Sequence, residues 1–231
     1  REEMSMTMKG DFGQYVAEFF VTFVFLLCGM GCVAGLKLAG ASMRQWAISV
    51  IWGLAVALGV YLCAAVSGSH LNPSVTIALA FFGCFPKRKI IPYIVAQMLA
   101  TFLAAALVYL LYQNLFDLKL AAAGADAAQR VGLAGVFCTF PNPEISMMQA
   151  VLCVVVIPAM LMALISALTG DGNGVPKGPL SPLLIGLLAA PIGASFGPLT
   201  GFAMNVTRHF GPLLFVIMPV CGSHCLTTHP L

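Results

Sequence analysis

Five apolar runs of membrane-spanning length decide what this chain can fold into. They cover roughly 13–36, 46–66, 90–113, 146–168 and 179–200, and one bilayer crossing takes about 20 apolar residues. Charged side chains are scarce: 8% of the 231 residues are Asp, Glu, Lys or Arg, against about 25% in an average soluble domain. A chain that is 60% hydrophobic, with a mean hydropathy of +0.98, cannot cover a water-facing surface. A cytosolic enzyme, a disordered tail and a secreted disulfide scaffold are thereby excluded. An all-α integral membrane protein is expected, lying in a lipid bilayer. The first run is too long for a cleavable signal peptide.

The polar residues fit that reading. The net charge is +3, and the one basic cluster, Lys87-Arg88-Lys89, reads as a cytoplasmic loop, which puts the N-terminus on the same side. It is no nucleic-acid footprint, and no nucleic-acid partner is expected. Cys28, Cys32, Cys63, Cys84 and Cys153 lie in or beside apolar runs and read as small packing residues. The segment 114–145, with Asp117, Lys119, Asp126, Arg130 and Glu144, reads as the longest polar connection. Gly170-Asp171-Gly172-Asn173-Gly174 follows a span rather than a strand and lacks dinucleotide-motif spacing, so it is a turn.

Two apolar stretches, about 72–83 and 205–220, are too short to cross. The first opens on Asn72-Pro73: Asn caps helices, and Pro suits the first helical position. A short capped helix between spans reads as a re-entrant half-helix, tolerated where its end lines a cavity. The second repeats the pattern, since Ser67-Gly68-Ser69-His70-Leu71-Asn72 and Thr200-Gly201-Phe202-Ala203-Met204-Asn205 each place Gly four residues before Asn. Three spans separate the copies, so they enter from opposite sides, as inverted repeats do around a central pathway. Each N-terminus brings about half a positive charge to the midplane. Each Asn oxygen caps its own helix and leaves the amide NH2 to donate to a solute. Arg208 adds a fixed cation and belongs in a wet cavity, unless it snorkels to the interface.

Ser67–Leu79 (SGSHLNPSVTIAL) and Gly197–Pro212 (GPLTGFAMNVTRHFGP) resemble the paired Asn-Pro-Ala motifs of the aquaporin superfamily. Gln45–Gly53, Lys87–Pro92, Asp171–Leu184 and Gly193–Met204 are similar to its glycerol-conducting branch, over roughly 9–212 in all. The resemblance implies an aquaporin-like inverted repeat in one transmembrane domain, 1–231. The first repeat spans about 10–113 and the second, incomplete, about 146–220. It further implies a passive channel for glycerol, small polyols and some water, without a cofactor, as a homotetramer in the bacterial inner membrane. Asn72 and Asn205 would be central donors. Trp52, Gly193, Phe202 and Arg208 would form the narrow filter: two aromatics for the carbon backbone, Arg208 for the hydroxyls, and Gly193 leaving width. Glu18 would be a buried support and Pro73 would fix the first half-helix. His70 would line an approach, or equally be a satisfied buried histidine.

The sequence also departs from the pattern. Ser74 replaces an Ala; Val206 and Thr207 stand for Pro and Ala, so Asn205 should be less firmly oriented. His209 stands where an acid is usual, leaving Arg208 without that charge. Val154 replaces the second buried Glu, which predicts unsatisfied backbone donors at about 1–3 kcal/mol each. Pro158 and Pro191 fall inside spans. After Gly211-Pro212 no clear sixth span follows, and 213–231 reads as a divergent tail of a truncated or frameshifted product. The spacing of Cys221, His224, Cys225 and His229 admits a metal site, but unrelated tail sequence is the simpler account, and no metal is expected.

A channel is therefore the expected function. The alternative is a degenerate, non-conducting relative that only folds or assembles. Active transport or membrane catalysis lacks support: there is no P-loop, metalloprotease motif or triad, and the spans hold essentially one acid, Glu18.

Overall fold

The structure is a computed structural model and describes residues 10–170 and 178–227. Among the described residues, five helices are long and apolar enough to cross a membrane: α1 (Asp11–Leu38), α2 (Gln45–Ser67), α4 (Ile90–Leu111), α7 (Met147–Thr169) and α8 (Ser181–Thr200). Two short apolar helices, α3 (Pro73–Phe82) and α9 (Val206–Val216), stand where the half-helices are expected. The remaining α-helices among the described residues are α5 (Gln113–Ala123), α6 (Ala127–Ala134) and the terminal turn α10 (His224–Thr227), and a single 3-10 turn, Lys87–Lys89, leads into α4.

Local chemistry sets most boundaries. Ser146 and Gln149 form a reciprocal capping box that opens α7. Gly68 and Gly201, at φ +82 and +65, close α2 and α8 in the left-handed conformation that glycine adopts without a Cβ penalty. That common stop places each loop four residues ahead of its Asn. Pro158 and Pro191 lie inside α7 and α8, which continue through them.

The two repeats meet where α2 crosses α8. A Cβ on Gly53 would stand 2.5 Å from the Gly186 carbonyl, and one on Gly186 would meet the Gly53 carbonyl in return. Only glycine at both positions allows the backbones this close. α1 packs between α2 and α4, and α4 continues across α9. Among the described residues, α7 leans mainly on α8. Of its most apolar stretch 11% is buried, against 39% for each of the other four spans, so nothing described covers α7 as α4 covers α1.

Three expectations need correction. The stretch 114–145 is no plain polar connection: α5 and α6 fold there and bury Phe116, Val131, Val136 and Phe137 in the main core, with Asp117, Lys119, Asp126 and Glu144 kept outside. The stretch 213–225, read as a divergent tail, is packed. α9 runs into a π-helical turn, Ile217–Cys221, and Leu213, Val216, Val220, Cys221 and Cys225 join that core. Cys221 and Cys225 form a disulfide, which removes two of the four suggested metal ligands, while the His224 side chain and His229 lie outside the described residues. Finally, none of the five cysteines read as packing is fully buried. Cys28 and Cys84 are exposed and Cys32, Cys63 and Cys153 half-buried, whereas Cys138 is the buried thiol. An apolar environment outside the protein lets a small hydrophobe face outward at no cost. The suggested turn at 170–174 lies, from Asp171 on, outside the described residues.

Candidate functional site

Asn72 and Asn205 cap α3 and α9 from extended backbone, at φ −154 and −145. Asn72 Oδ1 accepts from Ser74 N–H at 2.9 Å, and Asn205 Oδ1 from Thr207 N–H at 3.1 Å and Arg208 N–H at 3.3 Å. The amide groups do not both stay wholly free. Asn72 Nδ2 donates to the Met204 carbonyl and Asn205 Nδ2 to the Leu71 carbonyl, each at 2.7 Å. Each acceptor is the residue just before the other asparagine, so the two loops are tied by a reciprocal pair. A carboxamide has two N–H bonds, and each Asn gives one of them to the opposite loop. Both asparagines border a cavity of about 200 Å³.

The first loop is held from behind by Glu18, which is fully buried. Its Oε2 accepts from His70 N–H at 3.1 Å, and its Oε1 from Leu71 N–H and, at 2.8 Å, from Gln97 Nε2. Ser69 and Leu71 sit at φ +48 and +59, a region that costs a non-glycine residue of order 1–3 kcal/mol. Glu18 supplies the compensating bond at Leu71, while Ser69 is held by Ser67 Oγ, which accepts from its N–H, and by the Gly59 carbonyl, which accepts from its hydroxyl. Its counterpart Val154 is 39% exposed and offers none, but Met204 N–H finds a local acceptor, the Phe202 carbonyl at 2.8 Å. This backbone donor is therefore served within its own loop. His70 combines both of its readings: it borders the cavity, and its Nδ1 lies 3.0 Å from Thr76 Oγ1, with the ring packed against Phe85 and Tyr93, which also touch each other.

Above the asparagines the space narrows to about 30 Å³ between Trp52, Phe202, Asn205 and Arg208. Trp52 and Phe202 stack with centroids 6.0 Å apart, and Phe25 meets Trp52 edge-on at 5.4 Å. Arg208 is buried, its guanidinium 5.0 Å from the Trp52 ring centroid. It does not snorkel: Nη1 donates to the Phe137 carbonyl, and its buried Nε has no partner among the described residues. Gly193 acts indirectly. A Cβ there would collide with the Phe202 ring, and one on Gly197 would stand 2.6 Å from it, so the two glycines form the slot in which that ring lies. The Gly193 carbonyl accepts from Gln45 Nε2 at 3.3 Å.

His209 contributes no cation beside Arg208. Its Nδ1 accepts from Thr139 N–H at 3.2 Å; a backbone N–H can only donate, so that nitrogen carries a lone pair and the ring is neutral. Arg208 and His209 together clamp the 137–139 segment onto α9, and the Phe137 carbonyl stands in for the absent carboxylate.

Pro73, at the first position of α3, and the seven other residues singled out from the sequence around the pathway thus lie together, with Glu18 directly behind them. Sequence reasoning missed Gln97, Thr76, Phe25 and Phe137. Gln97, fully buried inside an apolar run, carried a legible signal, because a polar side chain in a span faces the protein interior. Phe137 acts through its carbonyl, which no side-chain pattern reports. Among the described residues no group of three His, Cys, Asp or Glu stands close enough to hold a metal.

Residues 5–221 match the family model described as major intrinsic protein. The chain is 58% identical over 217 residues to the glycerol uptake facilitator protein of Escherichia coli strain K12, covering 93% of this chain and 77% of that one. It is 53% identical over 216 residues to the propanediol uptake facilitator PduF of Citrobacter freundii, covering 93% and 80%. Among solved structures, the aquaglyceroporin from Plasmodium falciparum superposes with a TM-score of 0.79 at 28% identity, covering 93% of this chain and 85% of that one.

Proposed function

The chain belongs to the major intrinsic protein family, and from that premise we propose that it is a passive channel for glycerol and related small polyols, with some water. It is a channel rather than an enzyme, needs no cofactor, and works as a homotetramer in the bacterial inner membrane. Residues of about 10–113 and 146–220 are the two repeats of its single domain. The carrying observation is the reciprocal pair between Asn72 and Asn205 beneath a filter with one aromatic wall and one donor wall. A polyol has a carbon edge and a hydroxyl edge. Trp52 and Phe202 match the first; Arg208, with its free Nε–H, and the remaining N–H of each Asn match the second. The glycerol and propanediol facilitators among the relatives support this substrate class.

The same geometry opposes cations. Two helix N-termini, each carrying about half a positive charge, face the midplane, and Arg208 adds a full charge above them. Vesicles containing the protein should swell in glycerol several-fold faster than protein-free vesicles; equal rates would overturn the reading. Arg208→Ala should raise monovalent-cation conductance roughly 10- to 100-fold, the scale of one charge acting across a few ångströms of partly desolvated space. Arg208→Lys, which keeps the charge, should stay tight. Voltage-driven flux through the reconstituted variants measures both.

The thin burial of α7 favours one second reading, a chain that folds and assembles without conducting. Mixed tetramers with an intact relative, in vesicles where this chain alone gives no swelling, would establish it.

A further inference from the structure

The two asparagines are aimed by different means. In the first repeat Pro73 follows Asn72 and fixes the first helical φ, and Asn72 Oδ1 accepts only from Ser74 N–H among the described residues. In the second, Val206 stands in the proline's place and supplies no such constraint. There Thr207, fully buried, donates its hydroxyl to Asn205 Oδ1 at 2.9 Å, beside the two backbone donors. Ser74 occupies the matching position in the first repeat, and no hydrogen bond joins its hydroxyl to Asn72. The result is nearly the same cap backbone, φ −145 against −154, and the same 2.7 Å donation to the opposite loop.

We infer that Thr207 is a positioning residue: its hydroxyl holds the Asn205 carboxamide so that one N–H ties to the Leu71 carbonyl and the other faces the solute, a task Pro73 performs by backbone constraint for Asn72. The inference deepens the channel reading and rests on it for its effect on flux. With a third donor on Oδ1 the carboxamide cannot rotate without breaking a side-chain bond as well as two backbone ones. Without it, the ring-free Val206 leaves the cap looser, and Nδ2 spends less time in the pathway.

The test separates hydroxyl from methyl. Thr207→Val keeps the shape and removes the donor; Thr207→Ser keeps the donor and removes the methyl. Glycerol permeability in vesicles should fall about three- to tenfold in Thr207→Val and Thr207→Ala, the scale of one neutral hydrogen bond, and Thr207→Ser should retain it. Val206→Pro combined with Thr207→Ala should restore it by returning the backbone constraint. A packing role predicts the reverse order, with Val tolerated and Ser impaired, and that order overturns the inference, as does a double variant no better than Thr207→Ala. The side-chain 15N resonance of labelled Asn205 in bilayers reads orientation without reference to flux. It should be single in the native protein and in Thr207→Ser, and broadened or split in Thr207→Val. An unchanged resonance in Thr207→Val sinks the inference even if the native chain conducts nothing, while absent native swelling with the predicted spectra sinks only the channel reading.

Discussion

Gly193→Val is expected to bring glycerol permeability down to that of protein-free vesicles. The Phe202 ring lies where the first side-chain atom at 193 would be, in the slot that Gly193 and Gly197 leave open. It cannot yield outward, because α8 is behind it; it can only move toward the pathway. The narrow section there is about 30 Å³, so a shift of a ring by a methyl's width closes it. Trp52 cannot yield to it, since Phe25 supports it edge-on and a Cβ at Gly29 would stand 2.5 Å from its ring. Overpacking of this kind costs about 1–3 kcal/mol, so the variant should still insert and fold. Gly193→Val with Phe202→Ala removes the clash and should regain solute flux while losing discrimination among polyols. Swelling rates in glycerol and in a bulkier polyol, with thermal unfolding in detergent as the folding control, decide the matter. Native flux in Gly193→Val would show that the ring is free to leave its slot.

Glu18→Ala should have the largest effect on stability. The substitution strands His70 N–H, Leu71 N–H and a Gln97 N–H in a buried site, at about 1–3 kcal/mol each. The sum is several kcal/mol, a large share of the roughly 5–15 kcal/mol that holds a typical domain folded. It also withdraws the bonds to His70 N–H and Leu71 N–H, the latter from a residue at positive φ, so the loop before Asn72 should relax. The Leu71 carbonyl would move with it, and Asn205 would lose its acceptor in the opposite repeat. A folded yield well below native and a thermal midpoint lowered by many degrees are the expected results. Glu18→Gln keeps one carbonyl oxygen as acceptor and should fall between. An alanine variant melting within a degree or two of native would mean that the loop is held by other contacts.

Much of this architecture was legible in the sequence, for reasons that are local. The five spans fall within about two residues of the apolar runs at either end, because length and hydropathy are what a bilayer selects. The half-helices were legible from Asn72-Pro73 and from Gly68 and Gly201, since capping and left-handed turns involve residues a few positions apart. The 114–145 stretch was misread because its charges recur between apolar residues at helical spacing. Charge density suggested a loop, while Phe116, Val131 and Phe137 had a core to join that only appears once the spans assemble.

The filter shows where local reading ends. That Gly193 and Phe202 belong to one site was foreseen from the resemblance, but their relation was not. The glycine widens nothing directly; it seats the ring. Val206 and His209 read as losses in the sequence, and the structure answers each with a neighbour: the Thr207 hydroxyl for the missing proline, and the Phe137 carbonyl for the missing acid.

The sequence by itself determined a membrane protein of two inverted repeats, the positions of its spans and the identity of its capping asparagines. All of these follow from hydropathy, chain length and bonds within a few residues. The tertiary structure alone decided how the asparagines face each other, what supports the filter ring and where Arg208 donates. Those contacts join groups 134, 9 and 71 positions apart for Asn205–Leu71, Gly193–Phe202 and Arg208–Phe137. No local preference encodes such pairs, because each forms only when a loop has packed against a helix or against the other loop: the two asparagine loops on each other, the Phe202 loop on α8, and the 137–139 segment on α9.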